Sequence, residues 1–270
     1  MTTADLAPPA RAGASLATSV AAVTGRNLYK IQRTPQIVVM ATVQSVAFLL
    51  IFRYVFGGAI PTGDLSYADY MVPGLLTVGV LFSGMGAAVA VAEDLTQGVI
   101  DRLRSLPIPR GSVVIARVLA HTVLITWCLL LTVAVAFAVG FRIHAGAGAA
   151  LAAFGLCVLF GFAFVWVFVA LGLFAGNAQA AQGLGFLVLP VSFASSAYVP
   201  VGTMPGWLRG FAEHQPVSVM INTVRCLTQA GRAEALLGHG TGYYLLRALV
   251  WTAGITVVFA TLAFARYRRG

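Results

Sequence analysis

Long apolar stretches separated by short polar connections dominate the pattern of this chain. A helix that spans a bilayer needs about 20 consecutive apolar residues, and six stretches of the sequence are long enough. They cover residues 37–56, 72–92, 113–139, 149–175, 179–199 and 245–265. Pro190 interrupts the fifth stretch, but neighbouring helices can satisfy the backbone groups that a proline leaves free. The pattern therefore predicts six transmembrane helices within residues 37–265, an even number that puts both termini on one side of the membrane.

The connection between the second and third stretches has the pattern of a short amphipathic helix. Apolar residues recur there at helical spacing and form one narrow stripe: Leu95, Val99, Leu103 and Leu106. Pro107 and Pro109 then end the helix. We therefore predict a helix over residues 94–106, too short to span a bilayer but suited to lie under it and dock into a groove of a partner. An ordinary solvated loop helix is the alternative interpretation.

A second amphipathic pattern precedes the first apolar stretch. Helical spacing over residues 15–33 puts Arg26, Lys30 and Arg33 on one stripe and Leu16, Val20, Val23 and Ile31 on an adjoining one. That arrangement is typical of a helix lying among lipid headgroups. Residues 1–36 are thus predicted to be a cytoplasmic tail with an interfacial helix. The helix either serves only as an anchor or forms, with the helix over residues 94–106, a face that a partner grips.

Composition supports an all-α integral membrane protein, because 59% of the residues are hydrophobic and 9% are charged, against about 25% charged residues in soluble domains. Most basic residues lie in three segments. The N-terminal tail contains Arg11, Arg26, Lys30 and Arg33, the connection between the second and third stretches contains Arg102, Arg104 and Arg110, and the C-terminal tail contains Arg266, Arg268 and Arg269. By the positive-inside rule these segments, including residues 266–270, are cytoplasmic.

The first external loop, residues 57–71, carries Asp64 and Asp69 and neither lysine nor arginine, which agrees with the same orientation. The net charge of +9 is accounted for as a topology signal, since its cations sit at membrane edges and not on a soluble face that would bind nucleic acid. We therefore expect a multi-pass protein of the cell inner (cytoplasmic) membrane with no nucleic-acid partner.

The sequence offers no pattern for catalysis or for a metal. A phosphate-binding loop ends in a lysine, and the only lysine, Lys30, follows Tyr29 outside any such loop. The histidines are scattered over different elements: His121, His144, His214 and His239. Three cysteines make no disulfide framework or metal cluster: Cys128, Cys157 and Cys226. We predict no catalytic residue, no metal ligand and no cofactor bound by this chain.

Polar side chains inside the apolar stretches are the candidates for a transport route, because such groups are costly in a membrane. They are Gln44 in the first stretch, Ser83 in the second, and Ser192, Ser195 and Ser196 in the fifth. Serines can instead bond to their own helix backbone. The shortage of charges and the many Phe, Leu and Val residues favour an amphipathic or lipid-like cargo over a sugar polymer.

Two motifs carry a family resemblance over essentially the whole chain. One reads Asp94-Leu95-x-x-Gly98-Val99-x-Asp101-Arg102-x-Arg104-Ser105-Leu106-Pro107-Ile108-x-Arg110, followed by Ala116-Arg117-Val118. The other combines Tyr198-Val199-Pro200, Met204-Pro205-x-Trp207-Leu208, Gln215-Pro216 and Arg225. The chain resembles the permease subunit of ABC-2 type exporters, in particular the actinobacterial daunorubicin-resistance permeases. It departs from that family at Gln215, where asparagine is usual before the proline.

The resemblance implies that residues 94–106 form the coupling helix, which docks into a cleft of a separate ABC ATP-binding subunit. The residues expected at that contact are Glu93, Asp94, Val99, Asp101, Arg102, Leu103, Leu106 and Pro107. It also implies that residues 201–235 form short external helices that re-enter the outer leaflet. Such permeases work in pairs, identical or sister, with two ATP-binding subunits that hold ATP and Mg. Gly172-x-x-x-Gly176 is a small-residue motif that could serve the dimer face.

These expectations describe an exporter permease that is not itself an enzyme and is driven by a partner's ATP hydrolysis. A stand-alone channel or ion-coupled transporter is the main alternative, although such a protein usually places carboxylates in its spans and this chain has none in a span centre. An intramembrane enzyme would need a reactive cluster, and the sequence shows none.

Overall fold

The computed structural model describes residues 15–55, 57, 65–105, 107–109 and 111–269. In that part of the chain every regular element is helical. The α-helices are α1 (Leu16–Arg33), α2 (Pro35–Val55), α3 (Tyr67–Thr96), α4 (Val99–Arg104), α5 (Gly111–Ala138), α6 (Ala147–Ala175), α7 (Ala178–Gly185), α8 (Val188–Phe193), α9 (Gly206–His214), α10 (Pro216–Gln229), α11 (Gly231–Leu237) and α12 (Thr241–Arg269). The tail over residues 1–14, Asp64 and Leu106, on which predictions were made, lie outside the described residues.

Among the described residues, α2, α3, α5, α6 and α12 are the five helices long and apolar enough to cross a membrane. The all-α membrane class is therefore confirmed. The predicted count of six spans is not, because the fifth predicted span is divided between α7 and α8, which together cover residues 178–193. At 1.5 Å per residue that segment is about 24 Å long, shorter than the hydrocarbon core of about 30 Å.

The break between α7 and α8 has a local cause. Pro190 has no backbone N–H and so cannot donate to the carbonyl of Phe186, which instead accepts the N–H of Leu189 at 2.9 Å. At the end of α8, the hydroxyl of Ser192 donates to the Leu189 carbonyl at 2.9 Å, and just after the helix the hydroxyl of Ser195 donates to the Ser192 carbonyl at 2.5 Å. These side-chain bonds compete with helix continuation, so the helix ends there.

Close contact between α3 and α6 forms the centre of the structure. A Cβ on Gly172 would lie 2.5 Å from the carbonyl oxygen of Ala88, and one on Gly161 would lie 2.5 Å from a methyl group of Val80. These glycines therefore let the two helices approach. Gly176 is the left-handed cap that ends α6, with φ of 77°. Gly172 of the small-residue motif thus packs α6 against α3 inside the chain, whereas nothing lies within 4 Å of a Cβ on Gly176; a dimer face at this motif stays a prediction.

The helices bring the predicted cytoplasmic segments to one end, which we call the inner end. There Lys30 of α1 lies 3.4 Å from Asp94 of α3, and Arg104 of α4 donates to the carbonyl of Tyr267, near the end of α12, at 2.8 Å. Asp69 lies at the other end of α3, where it accepts the N–H of Arg142 at 3.0 Å. The basic clusters thus share one end of the structure, as the positive-inside rule requires of cytoplasmic segments.

Candidate coupling end and inner cavity

The connection from α3 to α5 is not the single helix predicted over residues 94–106. Gly98 adopts the left-handed conformation, with φ of 67°, which is costly for any residue with a side chain. It separates α3 from the six-residue helix α4, Val99–Arg104. Glu93 and Asp94 consequently belong to the last turn of α3, so the predicted start of the coupling helix was wrong by about one turn.

The apolar side of α4 is packed against the rest of the chain. Leu103 is 8% exposed and Ile100 5% exposed, and both belong to the main hydrophobic core. Leu95 and Val99 are partly buried against the same core. The expectation that Leu103 offers its side chain to a partner is therefore wrong for this structure, since that side chain is already buried.

The outer surface of α4 is polar. Asp101, Arg102 and Pro107 are exposed, and the Asp101 side chain, 74% exposed, accepts a hydrogen bond from Arg104 at 3.2 Å. Arg104 also lies over the ring of Tyr267, 4.7 Å from its centroid, which attaches α4 to the end of α12. Of the predicted contact residues that are described, Asp101, Arg102 and Pro107 are exposed, and Glu93 and Val99 are partly exposed.

A buried ion pair lies directly before α4. The carboxylate of Asp94 pairs with the guanidinium of Arg117 on α5, and these side chains are 6% and 9% exposed. Lys30 of α1 reaches the other carboxylate oxygen at 3.4 Å but is 57% exposed. Asp94 therefore joins α1, α3 and α5, and its predicted role as a surface contact is replaced by an internal one.

A cavity of about 480 Å³ opens beside this ion pair, between α1, α2, α3, α5 and α7. We call it the inner cavity. Two of the predicted route residues, Gln44 and Ser83, lie in its wall, as does Glu93. Apolar side chains line most of the remaining surface: Ile31, Met40, Phe82, Met85, Val89, Leu124 and Phe186. Such a mixture can hold a molecule with one polar and one apolar part.

Several polar residues of this cavity were not predicted from the sequence, and Arg117 and His121 are the two most buried in the membrane-spanning part. Arg117 and His121, one turn apart on α5, both line it. His121 is 4% exposed, and its Nδ1 has no hydrogen-bond partner among the described residues. A buried polar group without a partner is costly. Arg117 lies inside a predicted span, and an ionisable residue in that position needs a partner of opposite charge or a polar cavity. That position was the available signal in the sequence.

The serines of the fifth predicted span do not join this cavity. Ser192 and Ser195 bond to the backbone next to α8, as described above. Ser196 donates to the amide oxygen of Asn222 at 3.0 Å and lines a separate cavity. Gln215, the position at which the resemblance implies an asparagine, donates to the carbonyls of Val191 and Ala194 at 3.1 and 2.7 Å. Its longer side chain thereby ties the start of α10 to α8.

Arg225 of α10 is fully buried at the end of the structure opposite the inner end, which we call the outer end. It donates to the carbonyl of Tyr70 at 3.0 and 3.1 Å, to that of Ser196 at 2.9 Å, and to the amide oxygen of Asn222 at 2.8 Å. Its guanidinium lies 3.9 Å from the centroid of the Tyr70 ring. These contacts surround the charge with oxygen dipoles and an aromatic face, which offset its loss of water.

Comparison with known proteins identifies the architecture. The sequence model of the ABC-2 type transporter family matches residues 18–227, a range that runs from α1 into α10 and includes α4 and the inner cavity. The chain belongs to the ABC-2 type transporter family. It is a permease subunit of a transporter and a multi-pass membrane protein.

Individual ABC-2 relatives extend the likeness along the chain. The daunorubicin resistance ABC transporter permease protein DrrB1 of Streptomyces coeruleorubidus is 30% identical over 224 residues, which cover 82% of this chain and 76% of the relative. The probable doxorubicin resistance ABC transporter permease protein DrrC of Mycobacterium tuberculosis is 26% identical over 248 residues, which cover 91% of this chain and 87% of the relative. Relatives of this ABC-2 permease therefore include proteins named as drug-resistance ABC transporter permeases.

Proposed function

We propose that this chain is the permease half of an ATP-driven exporter that moves an amphipathic drug or lipid-like molecule outward across the cytoplasmic membrane. ATP and Mg are bound and used by a separate ABC ATP-binding subunit, present in two copies, which contacts α4. A second permease, identical or a sister chain, completes the membrane part. Both termini lie in the cytoplasm.

The buried pair between Asp94 and Arg117 is the observation that carries this proposal. Asp94 lies in the last turn of α3, four residues before the Gly98 break that leads into α4. Its partner Arg117 and its neighbour Glu93 both line the inner cavity. A push on α4 therefore reaches the cavity wall through one short connection and one ion pair.

The cargo class follows from the lining of the cavity. Gln44, Ser83 and His121 supply hydrogen-bonding groups, and Phe82 and Met85 belong to an apolar surface beside them. Relatives are named for resistance to daunorubicin and doxorubicin. Both names support an amphipathic organic molecule as the cargo. Doxorubicin is therefore the first compound to use as a transport probe.

The proposal is tested by asking whether the exposed face of α4 holds the ATP-binding subunit. Arg102 is exposed on α4, and Arg232 is exposed on α11 near the opposite end. Exposed ion pairs contribute about 0–1 kcal/mol, so Arg102→Glu, which turns an attraction into a repulsion, should lower recovery of the complex about two- to fivefold. Arg232→Glu is the matched control and should leave recovery unchanged. Equal recovery for both variants and the parent would show that α4 is not the contact.

A further inference from the structure

A second cavity, of about 470 Å³, lies at the outer end between the start of α3, the segment after α8 and the helices α9 to α12. We call it the outer cavity. Two side chains of opposite charge line it, Arg247 of α12 and Glu213 of α9. Among the described residues neither of them forms an ion pair. A positive and a negative group therefore face the same cavity without neutralising each other.

An aromatic ring holds the guanidinium of Arg247 in place. The guanidinium lies over the ring of Tyr243, 4.4 Å from its centroid. The ring of His239 stacks on Tyr243 in turn, with the centroids 4.2 Å apart and an interplanar angle of 26°. Within the ranges that the structure describes, nothing accepts a hydrogen bond from Arg247. A guanidinium that rests on a ring keeps its N–H donors at its edge, where they fit the oxygens of a phosphate.

A buried amide supplies further donors to the outer cavity. Asn222 of α10 lines the cavity although it is only 6% exposed. Its amide oxygen accepts hydrogen bonds from Ser196 at 3.0 Å and from Arg225 at 2.8 Å, which fixes the orientation of the amide. Its Nδ2 donates to no residue in the described part of the chain and is not sealed inside the protein. The two N–H bonds of Asn222 are therefore available to a ligand, and a donor so deeply buried is costly without an acceptor.

Apolar and aromatic side chains surround this polar cavity on the surface of the outer end. Trp207 and Phe211, both on α9, are 81% and 52% exposed. Leu236 and Tyr243, which line the cavity, are 39% exposed each. Such residues beside the start of a membrane-spanning helix are typical of the level of the lipid headgroups. A ligand at this place can therefore bring apolar chains as well as a polar head.

We propose that the outer cavity binds the headgroup of a zwitterionic phospholipid from the outer leaflet. The phosphate accepts hydrogen bonds from Arg247 and Asn222, and the ammonium group lies against the carboxylate of Glu213. One such headgroup neutralises both charges that the chain leaves unpaired, whereas a phosphate alone neutralises one of them. The lipid is a bound partner of α9, α10 and α12 and is not the cargo of the inner cavity. Its leaflet follows from the topology proposed above.

The test titrates the purified whole chain in mild detergent with dioctanoyl phosphatidylethanolamine and follows the unfolding midpoint, which a ligand of the folded state raises. Dioctanoyl phosphatidylglycerol has the phosphate but no ammonium group, and dioctanoylglycerol has neither. We expect phosphatidylglycerol to need about two- to fivefold higher concentrations than phosphatidylethanolamine, the range expected for an exposed ion pair. Dioctanoylglycerol should leave the midpoint unchanged. Equal shifts with dioctanoylglycerol and phosphatidylethanolamine would overturn recognition of the headgroup.

Variants assign the phosphate and the ammonium group to their partners. Arg247→Gln should raise the half-saturating concentration of both phospholipids about tenfold, because it removes a charge-assisted hydrogen bond. Glu213→Gln should abolish the preference for phosphatidylethanolamine and leave phosphatidylglycerol binding unchanged. Asn222→Asp keeps the acceptor for Arg225 but replaces the donor by a carboxylate oxygen, so it should weaken both phospholipids. Arg232→Gln is the matched control, since Arg232 is exposed on α11 and does not line the cavity.

Two results with these variants would overturn the site. One is an Arg247→Gln variant that has the midpoint of the parent without lipid and binds both phospholipids as the parent does. If Arg247→Gln does not fold, Glu213→Gln decides, since it changes an exposed side chain near the end of α9. A Glu213→Gln variant that keeps the preference of the parent for phosphatidylethanolamine is the other result, and it excludes a zwitterionic ligand.

Free phosphoethanolamine, the same headgroup without acyl chains, identifies the source of the ligand. It should not shift the midpoint at concentrations at which the phospholipid saturates the chain. An equal shift would show that the cavity takes a soluble zwitterion and would overturn the lipid. These titrations do not use the ATP-binding subunit, so their failure leaves the proposed exporter function in place.

Discussion

Replacing Asp94 by asparagine is the most informative perturbation of the inner end. The change keeps the size of the side chain but removes the carboxylate that pairs with the guanidinium of Arg117, which is 9% exposed. Removing one partner of a buried pair costs about 3–5 kcal/mol. Lys30 is 57% exposed, so its contact with Asp94 contributes about 0–1 kcal/mol. We therefore expect Asp94→Asn to destabilise the chain severely and Lys30→Met to have little effect.

The assay is thermal unfolding of the purified chain in mild detergent, followed by recovery of the complex with the ATP-binding subunit. Asp94→Asn should lower the unfolding midpoint by far more than Lys30→Met. The double variant Asp94→Leu with Arg117→Met removes both charges and should recover most of the loss, because an apolar replacement of a buried pair is often neutral or stabilising. Equal midpoints for Asp94→Asn and Lys30→Met, or no recovery in the double variant, would refute a buried pair at this site.

Three further predictions concern topology, α4 and the outer end. Single cysteines at Asp101 and Arg232, in a background without the native cysteines, should be labelled from opposite sides of the membrane by an impermeant reagent; labelling of both from one side would contradict the topology. Leu103→Asp should lower the thermal stability of the isolated chain, by about 2 kcal/mol or more, since Leu103 is 8% exposed; an unchanged midpoint would mean that this side chain is free. Arg225→Lys should destabilise the chain by about 2–3 kcal/mol, because an ammonium group cannot bond to the carbonyls of both Tyr70 and Ser196 as the guanidinium does. Unfolding of the variant and the parent in detergent, at equal expression, measures this difference.

Helix content and the membrane class could be predicted because they depend on local pattern. The long apolar runs and the short helix between the second and third spans are visible in the sequence. The start of that helix was misplaced because the stripe from Leu95 through Val99 to Leu103 keeps its period across Gly98. The glycine itself was the available signal, since isolated glycines in a helical pattern weaken the assignment. In the fifth stretch Pro190 was likewise a signal that the helix is interrupted. Only the structure shows how, because the Phe186 carbonyl accepts the N–H of Leu189 there.

The candidate site was harder to predict because it depends on contacts between distant parts of the chain. Asp94 and Arg117 lie 23 residues apart in the sequence, and no periodicity pairs them. Gln44 and Ser83 were chosen as polar residues in spans, and the structure brings both to one cavity. Ser192 and Ser195 were chosen on the same grounds and bond to backbone instead. Residue type alone does not distinguish these outcomes, because the hydroxyl of a serine in a helix can donate to a backbone carbonyl of the preceding turn.

ATP-driven transport by the reconstituted complex is the decisive measurement for the proposed exporter function. The chain and its ATP-binding subunit are placed in proteoliposomes, and doxorubicin uptake into inside-out particles is followed with ATP and Mg. We expect uptake that requires both proteins and is lost when the catalytic residues of the ATP-binding subunit are replaced. Uptake by the chain alone, driven by an ion gradient without ATP, would contradict it and favour a stand-alone transporter.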